Sequence, residues 1–104
     1  MMRLRSEMIV AKQSFVIMLR PAHKYAEKGS DEKIDEHFRY LQGLKVAGNL
    51  TMAGLFSEVL IGLVLIEAET VEEARKIMMN DPAVKAGVFY AELYPWHIAL
   101  KSDK

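Results

Sequence analysis

The chain contains no cysteine among its 104 residues. That single absence excludes a disulfide scaffold, a thiolate metal site and a cysteine nucleophile. No charge of one sign prevails either. Fourteen Lys and Arg balance fourteen Asp and Glu, so nothing in the composition recruits nucleic acid or an anionic membrane surface. Long apolar runs are missing as well. The longest, Val59 to Ile66, is interrupted by Gly62 and falls far short of the roughly twenty residues that span a bilayer. Near the start, Met8-Ile-Val-Ala11 is too short for the apolar region of a secretory signal, and Lys12 closes it. Three histidines, His23, His37 and His97, show no His-x-His or His-x3-His spacing, so no metal site is expected. Neither a glycine-rich phosphate loop, a nucleophile elbow nor an internal repeat is visible. The expectation is a cytoplasmic protein with no partner among nucleic acids or membranes.

What is present is ordinary globular composition, 51% hydrophobic and 27% charged, in a length that suits one small core. One domain is expected over 14–98, between a frayed N-terminal tail (1–13, with Met8 a candidate initiator) and a C-terminal tail (99–104).

Phe15-Val-Ile-Met-Leu19 has strand composition and ends at Arg20-Pro21. A polar loop follows to Ser30. Asp31 or Ser30 then caps a helix running to about Ala47, with Gly48-Asn49 at its end. Leu50 to Phe56 alternates loosely, with Leu50, Met52, Gly54 and Phe56 on one face. Ser57-Glu58 forms a tight connection to a second strand, Val59 to Ala68, as in a hairpin. Thr70-Val-Glu-Glu73 is a capping box that opens a helix to about Asn80. Asp81-Pro82 stops it. Gly87 to Trp96 is the last strand, and Pro95 marks it as finishing at a sheet edge.

Strand, helix, strand, strand, helix, strand is the ferredoxin-like βαββαβ order, an α+β fold with a four-stranded antiparallel sheet and both helices on one face. Such a sheet leaves its other face bare. Yet Val59 to Ile66 is apolar on both alternating sides, as in a strand covered on both. A second subunit packing sheet to sheet, a two-fold homodimer, resolves the conflict.

On the first helix, Ile34, Phe38, Leu41 and Leu44 share one sector at about 100° per residue, and His37 lies inside it. Glu32, Lys33, Glu36, Arg39 and Lys45 fall mostly toward water. His37 is therefore an imidazole held against the sheet. It is either a hydrogen-bonded core histidine or a general acid or base. Asp81 is either a cap for the short turn that follows it or a carboxylate that fixes the tautomer of His37. His23 reads as solvated, His97 as a surface or pocket-rim group, and the seven methionines as core filler. Arg20, Tyr94 and Trp96 are candidates for a substrate wall: a cation for an oxyanion and two aromatic faces for a ring.

Glu36-His37-Phe-Arg-Tyr-Leu41, Ala53-Gly54, Thr70-Val-Glu-Glu-Ala74, Asp81-Pro82-Ala-Val-Lys-Ala-Gly87-Val88 and Pro95-Trp96 follow one another in order. Together they resemble the YCII-related family of the dimeric α+β barrel superfamily, over roughly Phe15 to Trp96. The resemblance implies a ferredoxin-like protomer, a dimer built sheet on sheet, and a His–Asp pair at a pocket between helices and sheet, here His37 and Asp81. It further implies chemistry of the kind one branch performs, elimination of chloride from a chlorinated hydroxyhydroquinone, or isomerisation of a lactone as elsewhere in the superfamily. Both proceed without a cofactor. The short Ser57-Glu58 turn departs from the longer loop of many relatives. The leading expectation is thus a small enzyme moving a proton on an oxygenated ring substrate, with His37 as acid or base and Asp81 orienting it. The alternatives are a dimer that only binds a small ligand, and a cofactorless monooxygenase.

Overall fold

The computed structural model describes residues 12–102. The expected tail over 1–13 and the candidate initiator Met8 therefore fall almost wholly outside the described residues, as do the last two positions of the C-terminal tail. The elements are β1 (Gln13–Pro21), α1 (Ser30–Ala47), β2 (Leu50–Leu55), β3 (Gly62–Ala68), α2 (Val71–Met79), a one-turn α3 (Pro82–Lys85) and β4 (Phe89–Pro95). All strand pairs are antiparallel, in the order β2-β3-β1-β4. This is the expected ferredoxin-like α+β arrangement, with β4 at an edge.

Alternation in β1 and β3 makes the core. Phe15, Ile17 and Leu19 are buried, and opposite them in register stand Ile66, Val64 and Gly62. Leu41 from α1 and Ala74 and Met78 from α2 close over them. Residues between these positions point to the other face of the sheet. There Val16 pairs with Leu65 and Tyr94, Met18 with Leu63 and Glu92, and Arg20 with Tyr90. The outer face is therefore largely apolar: Val16, Met18, Leu63 and Leu65 are half-buried, and Tyr90 and Tyr94 are exposed.

Local chemistry sets the helix ends. Thr70 Oγ1 accepts from the Glu73 N–H at 3.0 Å, and the Glu73 carboxylate accepts from the Glu69 N–H at 2.7 Å. The return bond of the capping box thus reaches the residue before the cap. At the start of α1 neither Ser30 nor Asp31 caps. Gly29 takes that position with φ 91°, and Ser30 is already helical and buried. Gly48, with φ 88°, ends α1 as expected, since a left-handed residue there costs glycine nothing.

Two expectations along β2 and β3 are corrected. β3 begins at Gly62, so Val59, Leu60 and Ile61 belong to the connecting loop, which closes through the Phe56 N–H to the Ile61 carbonyl at 3.0 Å. A two-residue hairpin turn needs positive φ, and neither Ser57 nor Glu58 adopts it. The two-sided apolar stretch of the strand is accordingly Leu63 to Ile66. Within β2 a bulge shifts the register: Leu50 opposes Ile66, whereas Met52 opposes Leu65. Leu50 and Met52 therefore lie on opposite faces. The extra residue moves Met52 to the outer face, where it is 60% exposed, and turns Ala53 and Leu55 toward the helices. Of the described methionines only Met78 is fully buried; Met52 and Met79 are exposed.

Candidate functional site

α1 lies against β2 and α3, and this contact brings together the two residues that spacing singles out. Nδ1 of His37 and Oδ2 of Asp81 are 2.5 Å apart, with 4% and 5% of the two residues exposed. The other carboxylate oxygen, Oδ1, accepts from the Ala83 N–H at 2.9 Å and so caps α3. One oxygen of Asp81 therefore starts a helix while the other meets the imidazole. An ionised carboxylate can only accept, so Nδ1 carries a proton in this contact. In the neutral imidazole the lone pair then resides on Nε2.

Nε2 faces a different environment. His37 lines a cavity of about 460 Å³ between α1 and the β2–β3 half of the sheet. Among the described residues no buried side-chain nitrogen or oxygen lacks a partner, and no protein group bonds to Nε2. This nitrogen consequently opens to the cavity. The imidazole plane is wedged edge-on between Phe38 (ring centroids 5.1 Å apart) and Phe89 (5.2 Å). Phe89 in turn stacks on Tyr25 at 6.3 Å. Tyr25 sits in the loop after β1, which is tied to the start of β4 by the Ala22 N–H to Val88 carbonyl (2.9 Å) and the Lys24 N–H to Gly87 carbonyl (3.0 Å). Gly87 has φ 79°, and a Cβ there would lie 2.9 Å from the His23 ring. His23 is exposed to water but packs over that glycine, and this lets the loop close on the strand.

A second contact stiffens the pair from behind. The Tyr40 O–H donates to the Ile77 carbonyl at 2.7 Å, bridging α1 to α2. Burial first, and then the nearby Asp81 carboxylate, push the Tyr40 phenol above its ordinary value of 10.0.

The weaker sequence candidates separate. Arg20 borders the cavity, but its guanidinium is engaged on the outer face: Nε to Glu92 Oε1 at 3.4 Å and Nη2 to the Met18 sulfur at 3.1 Å. Tyr94 and Trp96 do not line the cavity. Tyr94 stands on the outer face opposite Val16, and Trp96 follows beyond the end of β4. His97 is exposed past the same strand. Lys45 is exposed, as its helical position suggests, and with the exposed Gln42 and Phe38, the latter 57% exposed, it also lines the cavity. Tyr25, Phe89 and Ala53 line it too. Among the described residues no helix is long and apolar enough to cross a membrane.

The sequence pattern of the YCII-related domain matches residues 14–97. The uncharacterized protein YjpA of Bacillus subtilis (strain 168) is 33% identical over 72 residues, which is 69% of this chain and 85% of YjpA. Among solved structures, the 5-chloro-2-hydroxyhydroquinone dehydrochlorinase TftG from Burkholderia phenoliruptrix AC1100, in complex with 2,5-dihydroxybenzoquinone, shares the fold. The TM-score is 0.57 at 22% identity, covering 80% of this chain and 93% of that one.

Proposed function

The chain belongs to the YCII-related family, and from that premise we propose that it is a small enzyme performing acid–base chemistry, elimination or isomerisation, on an oxygenated ring substrate. The observation that carries this reading is the two-sided environment of His37: Nδ1 held by a buried carboxylate, Nε2 open to an apolar cavity. A cavity of some hundreds of cubic ångströms suits a one-ring molecule.

In the proposed step Nε2 takes a proton from a ring hydroxyl or an acidic ring carbon. The electron pair left behind forms a new C=O or C=C bond. In an elimination a halide departs with the electrons of its own bond to carbon; in an isomerisation the proton returns to another carbon. Asp81 stabilises the imidazolium that forms and keeps the tautomer correct. No resident cofactor takes part in either route. A positioned group of this kind contributes about a hundred- to ten-thousand-fold in rate. The dehydrochlorinase that shares the fold lends the elimination branch its support.

We further propose a homodimer formed sheet to sheet. Its support is the outer face of Met52, Leu63, Leu65, Val16 and Met18, apolar and only partly covered within one chain.

A binding module remains the rival reading, favoured by one observation: Asp81 would cap α3 and clasp α1 whether or not a proton ever moves. Turnover of chlorinated hydroquinones and of lactones, assayed with and without oxygen, tests the proposal. Oxygen-independent turnover lost in His37→Ala supports it, and oxygen-dependent turnover would favour a monooxygenase instead. Ligand binding with no turnover of any compound would favour the binding module.

A further inference from the structure

The charges around the cavity are one-sided. Among the described residues no Asp or Glu lines it, whereas Arg20 and Lys45 do. Arg20 is neutralised by Glu92 on the outer face. Among the described residues Lys45 has no carboxylate within ion-pairing distance, and the sequence offers none at the helical neighbour positions Leu41, Gln42, Gly48 and Asn49. The Gln42 amide, one turn earlier on the same cavity wall, has no hydrogen-bond partner among the described residues either. Two unused donors, one of them cationic, therefore border an otherwise apolar chamber whose other polar feature of note is the free nitrogen of His37.

Their separation is fixed by the helix. Eight residues divide His37 from Lys45, about 12 Å along the axis at 1.5 Å each. Both residues line the same cavity from this helix, so an occupant of it can meet the two side chains together. An anion at the Lys45 end without a cation would face the negative end of α1, which disfavours it. With Lys45 in place, the attraction is charge-assisted, with Lys45 and Gln42 themselves exposed to water.

We propose that the substrate is a ring acid: its carboxylate is held by Lys45 and Gln42 at the C-terminal end of α1, and its reacting ring is held against His37. The proposal rests on the reading of the cavity as the reaction site and adds the substrate class to it. Lys45 is then the specificity-determining residue, since it selects acids over their neutral analogues, while the apolar wall accepts either ring.

The test is calorimetric titration of para-hydroxyphenylacetate and of its isosteric amide into the native protein and into Lys45→Met, with His37 followed by NMR in the same samples. The expected result is an acid that binds the native protein about tenfold or more tighter than the amide. In Lys45→Met that preference disappears, while the amide still binds and still shifts His37. Equal binding of acid and amide to the native protein, with His37 shifting for both, overturns the acid preference and leaves the site reading standing. Retention of the preference in Lys45→Met overturns the role of Lys45. If neither compound nor a set of neutral quinones and phenols shifts His37, the site reading itself falls and takes this inference with it.

Discussion

His37 on α1 and Asp81 at the cap before α3, 44 residues apart in the chain, meet through Nδ1 and Oδ2 at 2.5 Å, while the same carboxylate caps α3 through Oδ1. One side chain thereby sets both the start of a helix and the protonation pattern of the imidazole. The two roles can be separated by substitution.

Asp81→Asn keeps an oxygen for the Ala83 N–H but offers Nδ1 a donor where it had an acceptor. The expected outcome is a protein that unfolds near the native temperature with turnover reduced by about ten-thousand-fold, the size of effect seen when a triad carboxylate is replaced in this way. Asp81→Ala also loses the cap and should be less stable by about 0.5–2 kcal/mol. Thermal melts alongside single-turnover rates check both. Activity surviving in a well-folded Asp81→Asn would remove Asp81 from the chemistry.

The outer sheet face gives a second prediction. If it is covered by another copy, the native protein sediments at twice the 11.8 kDa chain mass. Leu65→Glu, which places a charge at the centre of that face opposite Val16, should sediment as a monomer. A native protein that is monomeric at micromolar concentration contradicts the dimer.

A third concerns the bulge in β2. By moving Met52 outward and Ala53 inward it leaves room beside His37 that a methionine would occupy. Ala53→Phe should fill that room, weakening ligand binding by more than tenfold while the sheet and the His37–Asp81 contact persist. Unchanged affinity in this variant would mean that ligands bind elsewhere.

Much of this arrangement was legible in the chain. The element order follows from the capping box at Thr70, the glycine after Ala47 and the Asp81-Pro82 stop, all of them local signals. His37 stood out because helical periodicity put a titratable ring among Ile34, Leu41 and Leu44. What escaped notice depends on contacts distant in sequence. The bulge that splits Leu50 from Met52 is a matter of register with β3. Arg20 pairs with Glu92 across strands 72 residues apart. Lys45 is exposed, as helical spacing predicts, but that spacing alone does not show that it also borders the cavity. Val59 to Ile61 read as strand because their composition is apolar, yet without a turn of positive φ the hairpin cannot close there.

Tyr40 supplies a prediction in alkali. Its folded phenol titrates above 10.0, through burial and then the Asp81 carboxylate. A group whose folded value is raised contributes its stability fully below the unfolded value, and loses it as pH climbs through the folded one. Native protein should thus lose stability above about pH 10 more steeply than Tyr40→Phe, and the two denaturation curves should run parallel below it. Equal alkaline slopes would show that Tyr40 does not couple folding to pH.

The most direct test of the central claim is the nitrogen NMR spectrum of the three imidazoles as oxygenated and chlorinated ring compounds are added. The expected spectrum has the His37 proton on Nδ1 and an Nε2 resonance that moves with at least one class of ring, while His23 and His97 stay in place. A His37 that keeps its spectrum against every ligand, in a protein that remains folded, would reduce the His37–Asp81 pair to a clasp between two helices.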